Sequence, residues 1–259
     1  MTPDEKSGWV RLPWDSSHFG FEIGRILDIE LPPANLQESI EAARGAGIQC
    51  LYWLTKQHVA SIFVPSTLIK VLDTRVEYKR VLTDATNESE PDSIRVAKRQ
   101  DLTAVLRLAA TSHTNTRFYE DDWFPTEQAG SLYSLWIEKA TSDPDQVVFV
   151  SGPPGQPVAY ISCGPSTELN AAAVGLVAVA SDQQRQGHGQ RLVAAGIAWA
   201  RKRSFDHLKV VTQGRNVAAR RLYERNRFDL VDERTWVHLW LNERESSSAG
   251  STTQEPEAW

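Results

Sequence analysis

Residues 181–203 read SDQQRQGHGQRLVAAGIAWARKR and follow directly on the apolar run AVGLVAVA of residues 173–180. The run predicts a strand, and Leu192, Val193 and the residues after them predict a helix. Gly187 and Gly189 stand where that helix begins, although glycine weakens a helix by about 1 kcal/mol. The first turn carries Arg185, His188 and Arg191 and lacks the acids that usually favour a helix N-terminus.

A helix leaves its first amide N–H groups unpaired, and its dipole places partial positive charge at the same end. Glycines there let the backbone approach a bulky anion closely, so that free amides hold phosphate oxygens. The segment Gln184-x-x-Gly187-x-Gly189 has that placement, although an ordinary strand-to-helix turn would also account for two glycines alone. No Lys-Ser/Thr pair follows, which excludes the usual nucleotide P-loop, and the spacing is shorter than a dinucleotide fingerprint. A pyrophosphate of another kind remains.

Downstream, NVAARRLYERNRF (216–228) predicts a helix with Asn216, Ala219 and Tyr223 on one face, since seven residues span nearly two turns and about 10 Å. By itself, Tyr223 could equally be a core aromatic with its hydroxyl at the rim. Together the two stretches, LVAVASDQQRQGHGQRL and NVAARRLYERNRF, resemble the GCN5-related N-acetyltransferase (GNAT) family in its pyrophosphate loop and the motif after it. The order matches and a strand of suitable length lies between. Arg227 stands where the family usually has glycine.

The resemblance implies a GNAT fold, a mixed twisted α/β sheet with flanking helices, and acetyl-CoA as co-substrate with no metal. It implies that the coenzyme lies between two parallel strands splaying after Val177 to Val179. Its pyrophosphate would rest on the amides of Arg185, Gln186, Gly187, His188 and Gly189, and its pantetheine arm would pass Asn216. Tyr223 would stand near the thioester sulfur as proton donor, because a phenol with a pKa near 10 stays protonated at neutral pH. A backbone N–H around Val179 would hold the oxyanion. Glu168, Asp121 and Asp122 are candidates for the base, with a water relay as the alternative.

The chain as a whole sets the bounds. With 259 residues and 41% hydrophobic content it can bury a substantial core. A formal charge of -5 argues against a nucleic-acid partner. No apolar run is long enough to cross a bilayer and the polar N-terminus is unlike a secretory signal, so a soluble, cytoplasmic protein without membrane contact is expected. Cys50 and Cys163 make neither a disulfide framework nor a metal-ligand spacing. The polar, acidic TDATNESEPDS reads as a linker, and the C-terminal stretch after residue 243 as a disordered tail. The expected organisation is a small α/β N-terminal domain over 1–83, a linker over 84–93, an acetyltransferase domain over 94–243 and a tail over 244–259.

Within these bounds, strands are expected over FGFEIGRILDIEL (19–31), IQCLYWLT, SIRVAKR, QVVFVS, PVAYISC and HLKVVTQ, with a closing pair FDLVDE and TWVHLWL. Helices are expected over 33–47, 100–112 and 126–140; in the last, Leu132, Leu135, Trp136 and Ala140 share a face.

Two stretches bear on the acceptor. TRFYEDDWFP (116–125) gathers Phe118, Tyr119, Trp123 and Phe124 beside Arg117 in an expected loop. One reading is a stacking platform for a base with an arginine for its phosphates; the other is a loop pinned to the core by its aromatics. RLPWDSSHFGFEIGR near the N-terminus reads as a turn leading into a strand, with His18 structural. With the acetyltransferase motifs behind them, these stretches resemble bacterial sugar-nucleotide acetyltransferases from Trp9 to Leu241. That resemblance implies transfer to the 4-amino group of dTDP-4-amino-4,6-dideoxy-D-galactose in surface-polysaccharide biosynthesis, with Arg117, Phe118 and Trp123 on the nucleotide-sugar side. Another amine (a protein N-terminus, a lysine or a polyamine) and a non-catalytic acyl-CoA-binding module stay open, as does a homodimer.

Overall fold

A computed structural model describes residues 7–59, 64–82, 91, 93–114 and 116–241. Most of the expected linker 84–93 and the whole expected tail 244–259 lie outside the described residues. In chain order the elements are β1 (Trp9–Arg11), α1 (Pro13–Phe19), β2 (Ile23–Ile26), α2 (Pro33–Gly45), β3 (Cys50–Thr55), β4 (Leu68–Val81) and β5 (Ile94–Val96). They continue with α3 (Leu102–Ser112), α4 (Arg117–Glu120), α5 (Thr126–Ser142), β6 (Val147–Ser151), β7 (Ala159–Pro165), β8 (Ala171–Val179), α6 (His188–Lys202), β9 (His207–Gln213), α7 (Val217–Arg225) and β10 (Asp229–Trp240).

The strands form one mixed ten-stranded sheet in the order β1-β2-β3-β10-β4-β9-β8-β7-β6-β5. Only β2–β3 and β8–β9 are parallel pairs. A smaller α/β unit precedes the GNAT-type core, as expected, but the two share this sheet: β4, from before residue 84, lies between β10 and β9. They share a core as well, since Phe19, Phe21 and Tyr52 pack in one cluster with Phe118, Phe124, Tyr160 and Trp240. The segments on either side of 84–93 therefore meet without a seam.

Helix α6 buries Leu192, Val193, Ile197 and Ala200 against Val76, Tyr78, Ile161, Leu208 and Val210 of the strands. Helices α3 and α5 belong to the aromatic cluster through Val105, Ala109, Leu132 and Ile137. On α5 the inward side is Ala129, Leu132, Tyr133, Ile137 and Ala140. Leu135 and Trp136, expected to share it, are exposed: Leu135 lies outside that arc, and Trp136 packs edge-on to Tyr133.

Three other expectations change. The strand expected from residue 19 starts only at Ile23, because Pro13 at the first turn and Gly20 at φ 79 bracket the short helix α1. No element is expected over 56–82, yet β4 runs for 14 residues there. Its alternation is masked by charge: Val76 and Tyr78 are buried between Arg75, Glu77 and Lys79. The closing pair is a single strand, β10, since DERT offers no glycine, proline or asparagine for a reversal; register shifts at Leu230/Asp232 and Thr235/Val237 absorb its curvature.

The opening that matters lies between β8 and β9. Their pairing runs from Ala171–His207 to Val174–Val210 and stops there, while β8 continues to Val179 and β9 to Gln213. The divergence thus begins after Val174, earlier than expected. A bulge explains it: Ile161 faces Val177 and Cys163 faces Val174, so three residues of β8 oppose two of β7. Ser162 Oγ accepts the Leu176 N–H at 2.9 Å, and a Cβ on Gly175 would come within 2.8 Å of the same oxygen.

Candidate active site

A cleft of about 900 Å³ occupies this divergence. One end is the head of α6. Gly187 caps the helix at φ 81 without a side-chain capping bond, Arg185 also has positive φ (62°), and no acid stands in the first turn. Arg191 N–H, bonded to Gly187 O, is the first amide spent inside the helix, so those of His188, Gly189 and Gln190 are left for a ligand. The loop is braced from within. Ser151 Oγ lies 2.9 Å from His188 Nδ1, Arg191 Nη2 lies 3.2 Å from the same nitrogen, and Arg191 Nη1 donates to Gln186 O at 3.2 Å. Burial and then the Arg191 charge lower the His188 pKa.

The two glycines have different tasks. Gly187 takes a left-handed backbone that L side chains rarely adopt. At Gly189 an added Cβ would lie 3.2 Å from Leu222 Cδ2, so this glycine serves the close packing of α6 on α7. Both are expected to serve an anion; both line the cleft, Gly187 through its backbone conformation and Gly189 against Leu222.

Along the middle of the cleft, Ala180 N–H donates to Val158 O on the β7 side. Strand alternation then turns the N–H groups of Val177 and Val179 toward the divergence. Opposite them, Asn216 caps α7 by accepting the Ala219 N–H at 3.1 Å. Tyr223 is 4% exposed, with its ring 6.0 Å from Tyr78 and 5.8 Å from Phe228. Burial pushes its hydroxyl far above the ordinary phenol value, and that hydroxyl makes no hydrogen bond to the described residues.

The far end is lined by Thr116, Arg117, Phe118, Tyr133, Trp136 and Trp236, with His113 beside them. The Arg117 guanidinium lies 3.9 Å from the Trp236 ring centroid, 4.2 Å from that of Phe118 and 4.8 Å from that of Tyr52. It forms no direct ion pair among the described residues, its Nε is buried without a partner, and burial lowers its pKa against the opposing charge of Asp15. Desolvating a guanidinium is costly, and an incoming anion would relieve that cost.

Of the residues singled out by sequence, Val177, Val179, Arg185, Gly187, His188, Gly189, Asn216, Tyr223, Arg117 and Phe118 all line this one cleft. Gln186 does not; its Nε2 turns back to Asp182 O at 3.3 Å. Trp123 does not either: it packs edge-on to Trp240 at 4.9 Å, beneath Lys70. His18 stacks on Trp14 and bonds Gln128 O, away from the cleft.

The three carboxylates weighed as bases are also elsewhere. Glu168 pairs with Lys209. Asp122 is exposed and pairs with Lys70. Asp121 is fully buried and accepts from Lys70, His238 and Trp240; burial alone would raise its pKa, but the His238 and Lys70 hydrogen bonds hold it at about 2. His113, Asp73, Arg75 and Trp236 line the cleft without having been expected there. Asp73 and Arg75 arrive on the strand that the charged pattern conceals, and Trp236 reads locally as one more strand aromatic.

A half-buried histidine, His113, and a buried one, His238, give the fold an acid sensitivity. Burial lowers both His113 and His238 from the usual 6.5 to about 4, in His238 against an opposing hydrogen bond to Asp121. Between those values the unfolded chain binds more protons than the folded one, so stability falls as pH drops through the window. Thermal melts should show Tm declining from pH 6.5 to pH 4, and a flat profile would contradict the assignment.

Among the described residues no group of His, Cys, Asp and Glu side chains could hold a metal ion, and no helix is long and apolar enough to cross a membrane. Residues 108–228 match the family model described as the Acetyltransferase (GNAT) family. A dTDP-fucosamine acetyltransferase of Escherichia coli O6:H1 is 30% identical over 148 residues, which is 55% of this chain and 61% of that protein. The chain thus matches about three fifths of that relative's length.

Among solved structures, a conserved protein of unknown function from Staphylococcus epidermidis is similar with a TM-score of 0.62 at 13% identity, over 90% of this chain and 89% of that one. A GCN5-related N-acetyltransferase from Sphaerobacter thermophilus has a TM-score of 0.58 at 12% identity, over 91% and 76%. At these identities the likeness is one of fold. Residues 108–228 are thus similar to the acetyltransferase (GNAT) family, on a chain whose fold is of the GNAT type.

Proposed function

We propose that this protein transfers an acetyl group from acetyl-CoA to the amino group of a nucleotide-linked amino sugar, with dTDP-4-amino-4,6-dideoxy-D-galactose as the favoured acceptor. The observation that carries the reading is a single cleft running from the bare head of α6, past Tyr223, to Arg117, whose Nε is buried without a hydrogen bond. The name of the E. coli relative supports the choice of acceptor.

In this reading the pyrophosphate of the coenzyme lies on the amides of Arg185 to Gly189, and the pantetheine arm passes Asn216. The acceptor nitrogen attacks the thioester carbon, and the oxyanion is held by the N–H of Val177 or Val179. As the C–S bond breaks, the leaving sulfur takes a hydrogen bond, and then the proton, from Tyr223 Oη. The nitrogen of the tetrahedral intermediate loses its proton to water, and water restores the phenol. Burial keeps Tyr223 protonated, so it donates to sulfur as charge develops there. Arg117 and Phe118 hold the nucleotide-sugar side, the acceptor's diphosphate pairing with the guanidinium. Trp123 backs that wall from within the core.

The test is a free-thiol release assay with acetyl-CoA against dTDP- and UDP-linked amino sugars, polyamines and peptide amines. Turnover confined to the latter two would refute the acceptor assignment. Arg117→Ala should raise KM for the nucleotide sugar by about ten- to a hundredfold, the range for a hydrogen bond to a charged group, at unchanged acetyl-CoA affinity. An unchanged KM would remove Arg117 from the site.

A further inference from the structure

His113 follows the last turn of α3, faces the cleft and has no part in the reaction as described above. Its Nε2 lies 2.9 Å from Tyr160 Oη. Tyr160 is fully buried in the middle of β7, and its hydroxyl has no other partner among the described residues. A buried O–H proton without an acceptor is costly, so the phenol donates and Nε2 accepts. A neutral imidazole carries one proton, which must then sit on Nδ1. Burial keeps the ring neutral at pH 7. Stacking on Tyr133, with centroids 4.7 Å apart and planes 20° apart, fixes the plane of the ring. Nδ1 has no partner among the described residues and is not sealed in the core, so it opens to the cleft.

We propose that Tyr160 locks His113 as the Nδ1–H tautomer and that His113 serves as a fixed hydrogen-bond donor to an oxygen of the acceptor, not as the base that deprotonates its amine. The function assigned to the donor rests on the acetyl-transfer reading; the tautomer does not. The surroundings identify the chemistry of the recognised group. The Arg117 guanidinium and the Thr116 hydroxyl, whose Oγ1 is buried without a partner, stand at the same end of the cleft. The one carboxylate lining the cleft among the described residues, Asp73, lies 3.3 Å from Arg215 Nε with its Oδ2 buried and not hydrogen-bonded. The donors of Arg117, Thr116 and His113 are matched by a hydroxyl or phosphoryl oxygen. A polyamine would bring further N–H donors to groups that already donate.

Two measurements test this. Long-range ¹H–¹⁵N spectra of the labelled protein at pH 7 should show a protonated Nδ1 and a bare Nε2 for His113, with the preference lost in Tyr160→Phe. The opposite tautomer in the wild type would overturn the proposal. In the kinetic arm, His113→Ala and His113→Gln should each raise acceptor KM about ten- to a hundredfold, with kcat changed less and acetyl-CoA affinity intact. His113→Asn, whose amide reaches the position of Nδ1, should recover most of that loss. An Asn variant as impaired in kcat as the Ala variant would reject the donor role in favour of a base. Should the tautomer be as expected while no amino sugar is acetylated, the acceptor assignment fails and the lock stands.

Discussion

Tyr223→Phe is expected to lower kcat by about ten- to a thousandfold while leaving the affinity for acetyl-CoA nearly unchanged, the range for removing one general acid. The substitution is clean for a structural reason. The hydroxyl makes no hydrogen bond to the described residues, so deleting it strands no internal partner, and the ring keeps its packing on Tyr78 and Phe228. Stability should stay within about 0.5 kcal/mol of wild type, as expected where no internal partner is lost. Calorimetry with acetyl-CoA and single-turnover rates separate binding from chemistry; wild-type turnover would mean that sulfur leaves without this proton.

Asp121→Asn should destabilise the fold by about 3–5 kcal/mol, the cost of breaking a buried ion pair by removing one partner. The carboxylate accepts Lys70 Nζ at 2.7 Å, His238 Nδ1 at 2.7 Å, Trp240 Nε1 at 2.9 Å and the Trp123 N–H at 3.1 Å, all at a side chain with no exposure. An amide would set its own N–H groups against some of these donors and would leave Lys70 with only the exposed Asp122. Urea titration is the direct measurement. A variant of normal stability whose kcat collapsed would instead return Asp121 to the role of base. The sign with pH agrees: its folded pKa is depressed to about 2, so this contribution is full above the unfolded value and is lost as pH falls toward 2.

Much of the site's chemistry is legible in the chain because it is local. A strand, a glycine turn and a helix head lie within some twenty consecutive residues, and the cap and face of α7 are set by the spacing of Asn216, Ala219 and Tyr223. What misleads is also local. The aromatic stretch 116–125 reads as one platform, yet its members divide: Arg117 and Phe118 face the cleft, whereas Trp123 is bound into the core. Asp121 and Asp122 are neighbours in sequence, but one is sealed in a buried network and the other is exposed. A pattern of residue types records hydrophobicity and spacing; it does not record which neighbour the fold turns inward.

By itself the sequence determined the βα turn that can receive a diphosphate, the helix that carries Tyr223 and the αβ alternation, because backbone conformation there follows from residues a few positions apart. Tertiary structure alone decided the rest. Arg117 meets Trp236, Asp121 meets His238 across 117 positions, and β4 slips between β10 and β9 to make a wall of the cleft. The reason is that burial, pairing register and ion pairing are properties of groups brought together by folding, and no stretch of chain short enough to read contains both partners.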